Sequence, residues 1–204
     1  MSDCLIVPIV EGYSEVASVP ILLRRMLAKT GHHELTASIG KPIRVKRNRI
    51  VKEGELEREI AKAKRCRPGC RCVLVLLDAD DDCPAELGPS LLERARSAHA
   101  DLRISVVLAK REFEAWFLGS IESLRGKCGI SHNACFKGDP ELPRDAKGHL
   151  SKLMEGGRHY LEVLDQPRLI SAIDVLACHN RCDSFRKLER DLKSLFNVIL
   201  GQDE

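Results

Sequence analysis

Short apolar runs alternate with amphipathic stretches along the first 120 residues of the chain. The strand-like runs lie at residues 4–10, 35–39, 43–45, 73–77 and 103–109. The stretches with apolar residues at helical spacing lie at 14–29, 53–65, 89–100 and 111–120. Buried parallel strands read as continuous apolar runs, and helices join them in sequence. The pattern therefore predicts an α/β fold, with a mostly parallel, Rossmann-like sheet of about four strands flanked by helices.

The pattern changes after Gly126. Residues 127–148 contain glycines, prolines and charged residues without a period, and helices are predicted near 147–155, 167–177 and 184–200. We therefore predict an α/β domain over residues 1–126 and a helical extension over residues 127–204. We expect the extension to pack on the first domain as a cap.

Composition places the chain among cytoplasmic proteins without a membrane partner. The 204 residues suffice for one sizeable core. The N-terminus lacks a basic leader, and no apolar run reaches spanning length. The nine cysteines are then expected to be thiols in a reducing compartment.

The net charge of the chain is only +3, but one segment of it is strongly basic, and we call this segment the basic strip. Between residues 41 and 52 the chain has six basic residues and no acidic one: Lys41, Arg44, Lys46, Arg47, Arg49 and Lys52. Such a strip favours a polyanion such as nucleic acid. The alternative is a solvated face of a helix and loop.

Acidic residues follow two of the predicted strands. Glu11 and Glu15 follow the first, and Asp78, Asp80 and Asp82 follow the run at 73–77. Ligands of parallel sheets bind beyond the carboxyl ends of the strands. Asp78 and Asp80 share a face if the chain stays extended. Since clustered carboxylates repel each other, a hard divalent cation is their best ligand, and we predict a site for Mg²⁺ or Mn²⁺.

The segment after the fourth predicted strand adds further candidates. Lys110 is placed either to stabilise a phosphate oxygen or to lie on the surface as an ordinary lysine. Either Glu112 or Glu114 can complete the acidic pocket, and spacing does not choose between them. The aromatic residues Phe113, Trp116 and Phe117 are predicted to pack in the core.

Several phrases together carry a family resemblance. They are Val10-Glu-Gly-Tyr-Ser-Glu15, Leu77-Asp-Ala-Asp-Asp81, Glu112-Phe-Glu-Ala-Trp-Phe-Leu118 and Ser184-Phe-Arg-Lys-Leu188. A Glu-Gly-x-x-Glu after the first strand with Asp-x-Asp after a later strand resembles the Toprim domain of topoisomerases, primases and OLD-family nucleases. The chain is most similar to small stand-alone prokaryotic Toprim-like proteins of unknown function, which are often described beside ATPase genes.

The resemblance implies a magnesium-dependent nuclease that acts on phosphodiester bonds. Glu11 would serve as acid/base or metal ligand, and Asp78 and Asp80 would hold metal. Glu15 matches a second acidic residue of OLD-type nucleases, and the Glu-Ala-Trp phrase favours Glu114 over Glu112. Asp82 would add a carboxylate for a second ion. The implied partners are nucleic acid, DNA rather than RNA, and an ATPase protein.

Three alternatives remain open from the residues. Asp-x-Asp after a strand also opens the site of haloacid-dehalogenase-like phosphatases, with the first Asp as nucleophile. A non-catalytic Toprim-like subunit would use the basic strip to bind nucleic acid or a partner protein. Zinc is a further alternative, with ligands from Cys66, Cys70 and Cys72 or from Cys178, His179 and Cys182. Topoisomerase and primase activities need additional domains that do not fit in this length.

Overall fold

The sheet of the computed structural model, which describes residues 5–29 and 39–201, has four parallel strands. The strands are β1 (Leu5–Val10), β2 (Ile43–Arg44), β3 (Cys70–Asp78) and β4 (Arg103–Ala109), in the order β2-β1-β3-β4. The predicted α/β fold with helices on both faces of a parallel sheet is therefore confirmed. The strand predicted at 35–39 lies largely outside the described residues, and Ile39 forms a parallel bridge with Ile6.

Pro8 lies in the middle of a central strand, where its missing N–H group needs an explanation. Successive residues point their backbone groups to alternate sides of a strand, so Pro8 faces the same side as Ile6 and Val10. On that side Ile6 accepts from Gly40 and Val10 accepts from Val45, at 2.9 and 2.8 Å. Because β2 pairs only with Ile9 and Val10, Pro8 faces the gap before β2 begins and breaks no ladder bond.

Two apolar clusters cover the two faces of the sheet. Alternate residues of β3 separate into Leu74 and Leu76 on one face and Val73, Val75 and Leu77 on the other. The second face is covered by α2 (Arg47–Ile50), α3 (Glu55–Cys66) and α4 (Pro84–Ala98). The first face is covered by α1 (Glu15–Lys29), which runs through Pro20 without a break, together with α5 (Ala115–Gly119) and the C-terminal helices. Residues 47–50, which the apolar pattern assigns to neither a strand nor a helix, form the short helix α2.

The C-terminal helices share the core of the sheet. They are α6 (Ala146–Lys152), α7 (Glu162–Ala172), α8 (Val175–Arg181) and α9 (Asp183–Leu200), with α9 against β4 and α7 against α1. The single helix predicted at 167–177 is wrong, because Asp174 starts a new helix by accepting from the N–H groups of Leu176 and Ala177. None of the helices in the described part of the chain combines the length and apolar composition needed to cross a membrane.

The aromatic residues after β4 pack in the core, as predicted. Phe113, Trp116 and Phe117 are fully buried, and the Trp116 indole donates to the Ser184 hydroxyl at 2.9 Å. The helix predicted at 111–120 begins only at Ala115, because Arg111 has a left-handed backbone conformation with φ of 66°. This turn directs the chain after β4 back toward the end of β3.

Candidate functional site

The carboxyl ends of β1, β3 and β4 meet at one edge of the sheet. The register pairs Val10 with Leu76 and Asp78 with Ala109, so the residues that follow the three strands lie side by side. This edge contains Glu11, Glu15, Asp78 and Glu114, which we call the carboxylate cluster. The charges of Glu15, Glu114 and Glu11 each act on Asp78. The sequence prediction for these four residues therefore matches their placement at one edge.

Asp78 is the centre of the carboxylate cluster. Burial raises the pKa of its carboxyl well above the usual range, and the charges of Glu15 and Glu114 raise it further. The N–H group of Phe113 donates to Asp78 Oδ1 at 2.8 Å, which ties the turn after β4 to the end of β3. A carboxyl group this buried resists ionisation unless a cation accompanies it.

Glu15 is held by the turn that precedes it. Its Oε2 accepts from the N–H groups of Glu11 and Gly12, at 3.1 and 3.0 Å. Burial and the Glu114 charge, opposed by the Gly12 hydrogen bond, together raise the pKa of Glu15 to about 7. Glu15 is therefore poised to change its protonation state near neutral pH.

Glu114 and Glu11 each present a buried oxygen that lacks a partner. Glu114 Oε1 accepts from the Tyr160 hydroxyl at 3.0 Å and from Gln166 Nε2 at 3.3 Å. Within the described residues, Glu114 Oε2 and Glu11 Oε2 have no hydrogen-bond partner. Burial raises the pKa of both carboxyl groups, and the charge of Asp80 adds to the effect at Glu11. A buried oxygen without a partner costs free energy of folding. A bound cation or water at each oxygen would offset this cost.

Two residues of the site were missed by the sequence analysis. Lys147 Nζ lies 2.8 Å from Glu162 Oε2, and Glu162 also accepts from the Ser14 hydroxyl. Burial alone would lower the pKa of Lys147, but the charges of Glu114 and Glu162 outweigh it and raise the pKa. Lys147 is therefore a permanent cation beside the carboxylate cluster. No local motif marks either residue, because α6 and α7 bring them to the site.

Asp80 and Asp82 lie at the rim, outside the carboxylate cluster. Asp80 has φ of 50°, so the chain does not stay extended after Asp78 and the two aspartates do not share a face. The side chains of Asp80 and Asp82 are 59% and 55% exposed, and both form ion pairs with Arg47. Asp78 is therefore the one member of the Asp-x-Asp pair that lies in the carboxylate cluster.

Lys110 also lies outside the carboxylate cluster. Its side chain is 36% exposed and its Nζ lies 3.8 Å from Asp139 Oδ2. This placement matches an ordinary strand-end surface lysine better than a group that contacts a phosphate in the cluster.

The basic strip divides into an outer and an inner part. Lys41, Arg44, Lys46 and Lys52 are exposed, and Arg49 pairs with Glu55 and Glu59. Arg47 instead turns inward and is only 15% exposed. It donates to the carbonyl oxygens of Asp78 and Ala79 at 2.9 and 3.2 Å. Arg47 therefore braces the turn after β3 instead of contributing to an exposed surface.

The donors of the carboxylate cluster fit a hard divalent cation. Within residues 5–29 and 39–201, no three acidic, histidine or cysteine side chains already surround a common point at metal-binding distance. The chemistry nevertheless matches Mg²⁺, since the donors are all carboxylate oxygens, two of them are buried without a partner, and burial holds their pKa values high. The zinc alternative that uses Cys178, His179 and Cys182 lacks this support, because Cys178 points to Trp116 whereas His179 faces Glu189.

Gly12 is required by the position of Glu15. A Cβ atom at residue 12 would lie 2.8 Å from Glu15 Oε1, closer than van der Waals contact allows. Gly12→Ala is therefore expected to displace the carboxylate and to weaken Mg²⁺ binding by about 10- to 100-fold, as for the loss of a supporting interaction. Isothermal titration calorimetry measures this affinity. Gly88→Ala in α4 is the matched control, because its added Cβ would meet Leu108 at an ordinary van der Waals distance of 4.0 Å, and an equal loss there would contradict the explanation.

The family described as a domain of unknown function (DUF4276) matches residues 10–193. No curated protein and no solved structure matches the chain. The matched segment starts at the last residue of β1 and ends within α9, so it includes the whole carboxylate cluster with Lys147 and Glu162. Because the match covers most of the chain, the chain belongs to the DUF4276 family.

Proposed function

We propose that this chain is a magnesium-dependent hydrolase of phosphodiester bonds in nucleic acid, with DNA as the preferred substrate. Glu11, Glu15, Asp78 and Glu114 would hold the ion, and Mn²⁺ would substitute for Mg²⁺. The observation that carries the proposal is the convergence of four carboxyl groups with raised pKa values at the end of a parallel sheet. A protein gains nothing in stability from such a cluster unless a cation binds there.

A bound divalent ion supplies charge neutralisation at the phosphate and a lowered pKa of the attacking water. The residues around the cluster hold its carboxylates in fixed orientations before an ion binds. Tyr160 and Gln166 orient Glu114 through its Oε1 and leave Oε2 free, and the backbone of the first turn orients Glu15. Lys147 adds a fixed positive charge that would favour the anionic substrate.

The structure supports the haloacid-dehalogenase-like phosphatase less well than the metal-dependent phosphodiester hydrolase. That mechanism needs Asp78 as an accessible, ionised nucleophile. Asp78 instead has a raised pKa, which disfavours its ionised form, and Asp80 turns away to Arg47. A purely binding role receives support from the exposed lysines of the basic strip but leaves the carboxylate cluster without a purpose. The cytoplasmic location and the ATPase partner stay predictions of the sequence.

Metal-dependent cleavage is the direct test of this function. We expect the purified protein to nick or cut DNA with Mg²⁺ or Mn²⁺ and to lose this activity in EDTA. Glu11→Gln and Glu114→Gln are each expected to weaken Mg²⁺ binding by about 10-fold or more, since each removes a charged oxygen ligand. Calorimetry gives the affinity and gel electrophoresis gives the cleavage. Wild-type protein that binds neither ion and cleaves neither DNA nor RNA would reject the proposal.

A further inference from the structure

A cavity of about 240 Å³ opens beside the carboxylate cluster. Its walls come from the turns after β3 and β4 and from the segment before α6. The lining residues are Asp80, Asp81, Arg111, Glu112 and Arg144. Two turns connect the cavity with the cluster: Asp80 follows Asp78 after β3, and Glu112 precedes Glu114 after β4. A group bound in the cavity would therefore be a neighbour of one bound at the cluster.

Two arginines in this cavity converge on one carboxylate. Arg111 Nη1 lies 2.6 Å from Asp81 Oδ1, and Arg144 Nη2 lies 3.1 Å from the same oxygen. Asp81 is 67% exposed, so this contact adds little to the stability of the fold. Guanidinium groups that hold a carboxylate in this way match the geometry of a phosphate, which offers more oxygens and more charge.

The backbone that presents Arg111 is strained. Asp80 and Arg111 have φ of 50° and 66°, in the left-handed region that favours glycine. The two residues are tied together, because Asp80 N donates to Arg111 O at 3.0 Å and Arg111 Nη1 donates to Asp80 O at 3.1 Å. Strained backbone of this kind concentrates at sites that bind or react. An arginine at a backbone position that favours glycine indicates that its side chain takes part in binding.

We propose that Arg111 and Arg144 bind a phosphate of the nucleic-acid strand next to the phosphodiester at the carboxylate cluster, with Asp81 holding the two guanidinium groups in place until that phosphate replaces it. The assignment rests on the proposed function and adds its substrate class, namely strands that carry a neighbouring phosphate. Asp81 then acts as a positioning residue, and its negative charge competes with the phosphate for the same two arginines.

The test is the binding of a short fluorescein-labelled single-stranded DNA, measured by fluorescence anisotropy in an Asp78→Asn background. Arg111→Gly removes the guanidinium group and at the same time relieves the left-handed backbone, so folding is not endangered. We expect Arg111→Gly and Arg144→Ala each to weaken binding by about 10-fold and the double variant to lower the salt dependence by about one counterion. Asp81→Asn is expected to tighten binding.

Arg190→Ala is the matched control, because it removes an equally positive and 76% exposed side chain from α9. Its effect on binding should be much smaller. An equal loss in Arg190→Ala, unchanged binding in both cavity variants, or no binding by the parent protein would each overturn the assignment. If the binding pattern holds while the wild-type protein binds neither Mg²⁺ nor Mn²⁺ and cleaves neither DNA nor RNA, the phosphate contact stands and the hydrolase proposal fails.

Discussion

Asp78→Asn is expected to lower magnesium-dependent DNA cleavage by roughly 1,000-fold and to raise the melting temperature of the metal-free protein. The loss follows because an ion at this site would supply several kcal/mol of charge stabilisation in the transition state. The gain in stability follows because burial and three neighbouring carboxylates disfavour a charge at Asp78, whereas an amide carries none. Each kcal/mol gained would raise the melting temperature by about 2–4 °C.

Cleavage assays and differential scanning calorimetry in EDTA measure the two effects on the same preparation. Asp101→Asn is the control, because Asp101 is an exposed partner of Lys64 at the opposite end of the sheet. It should leave both quantities unchanged. A purely structural Asp78 would give the reverse result in calorimetry, with a lower melting temperature in Asp78→Asn. That result would remove the main argument for a functional cluster.

The metal-free protein is expected to lose stability as pH rises from about 5 to about 8. The pKa of Glu15 is 4.5 in an unfolded chain and about 7 in the folded protein. Between these values the folded state binds more protons, so the free energy of unfolding falls with rising pH, by up to about 1.4 kcal/mol per pH unit for each such group. Burial also raises the pKa values of Asp78 and Glu114, which adds to the fall in the free energy of unfolding.

Magnesium should largely remove this pH dependence, because an ion bound only to the folded state stabilises the ionised carboxylates. The experiment compares melting temperatures across this pH range in EDTA and in Mg²⁺. Glu15→Gln, which cannot ionise, should show a shallower fall in EDTA. Melting temperatures that rise with pH in EDTA, or an equal slope in Glu15→Gln, would show that the carboxyl groups are not coupled to folding as described.

The sequence predicted the sheet because its strands are nearly continuous apolar runs. Val73–Leu77 is buried on both faces, which leaves no alternation and marks a central parallel strand. The two acidic turns followed from the same reasoning, since residues after parallel strands collect at one edge. The start of the helix after β4 was harder to predict, because the apolar pattern does not reveal the left-handed turn at Arg111.

The rest of the site depends on contacts between distant parts of the chain. Tyr160 and Gln166 meet Glu114 over sequence separations of 46 and 52 residues, and no spacing rule connects them. The prediction placed Asp80 with Asp78 on the basis of an extended chain and added Asp82 as a further carboxylate, whereas Arg47 from the basic strip binds both Asp80 and Asp82. Arg47 shows why a charged run is a weak predictor of a surface, since one member of the run turned inward.

The contacts that residues 146–172 make around the carboxylate cluster have a consequence for synthesis. A nascent chain that has left the ribosome only as far as α5 contains Glu11, Glu15, Asp78 and Glu114 but lacks Lys147, Tyr160, Glu162 and Gln166. Glu114 then has neither of its two orienting donors, and the first turn lacks the Ser14 contact to Glu162. A hydrolase with this arrangement would have no ordered active site during translation, and it would become active only after α7 has been synthesised and packed.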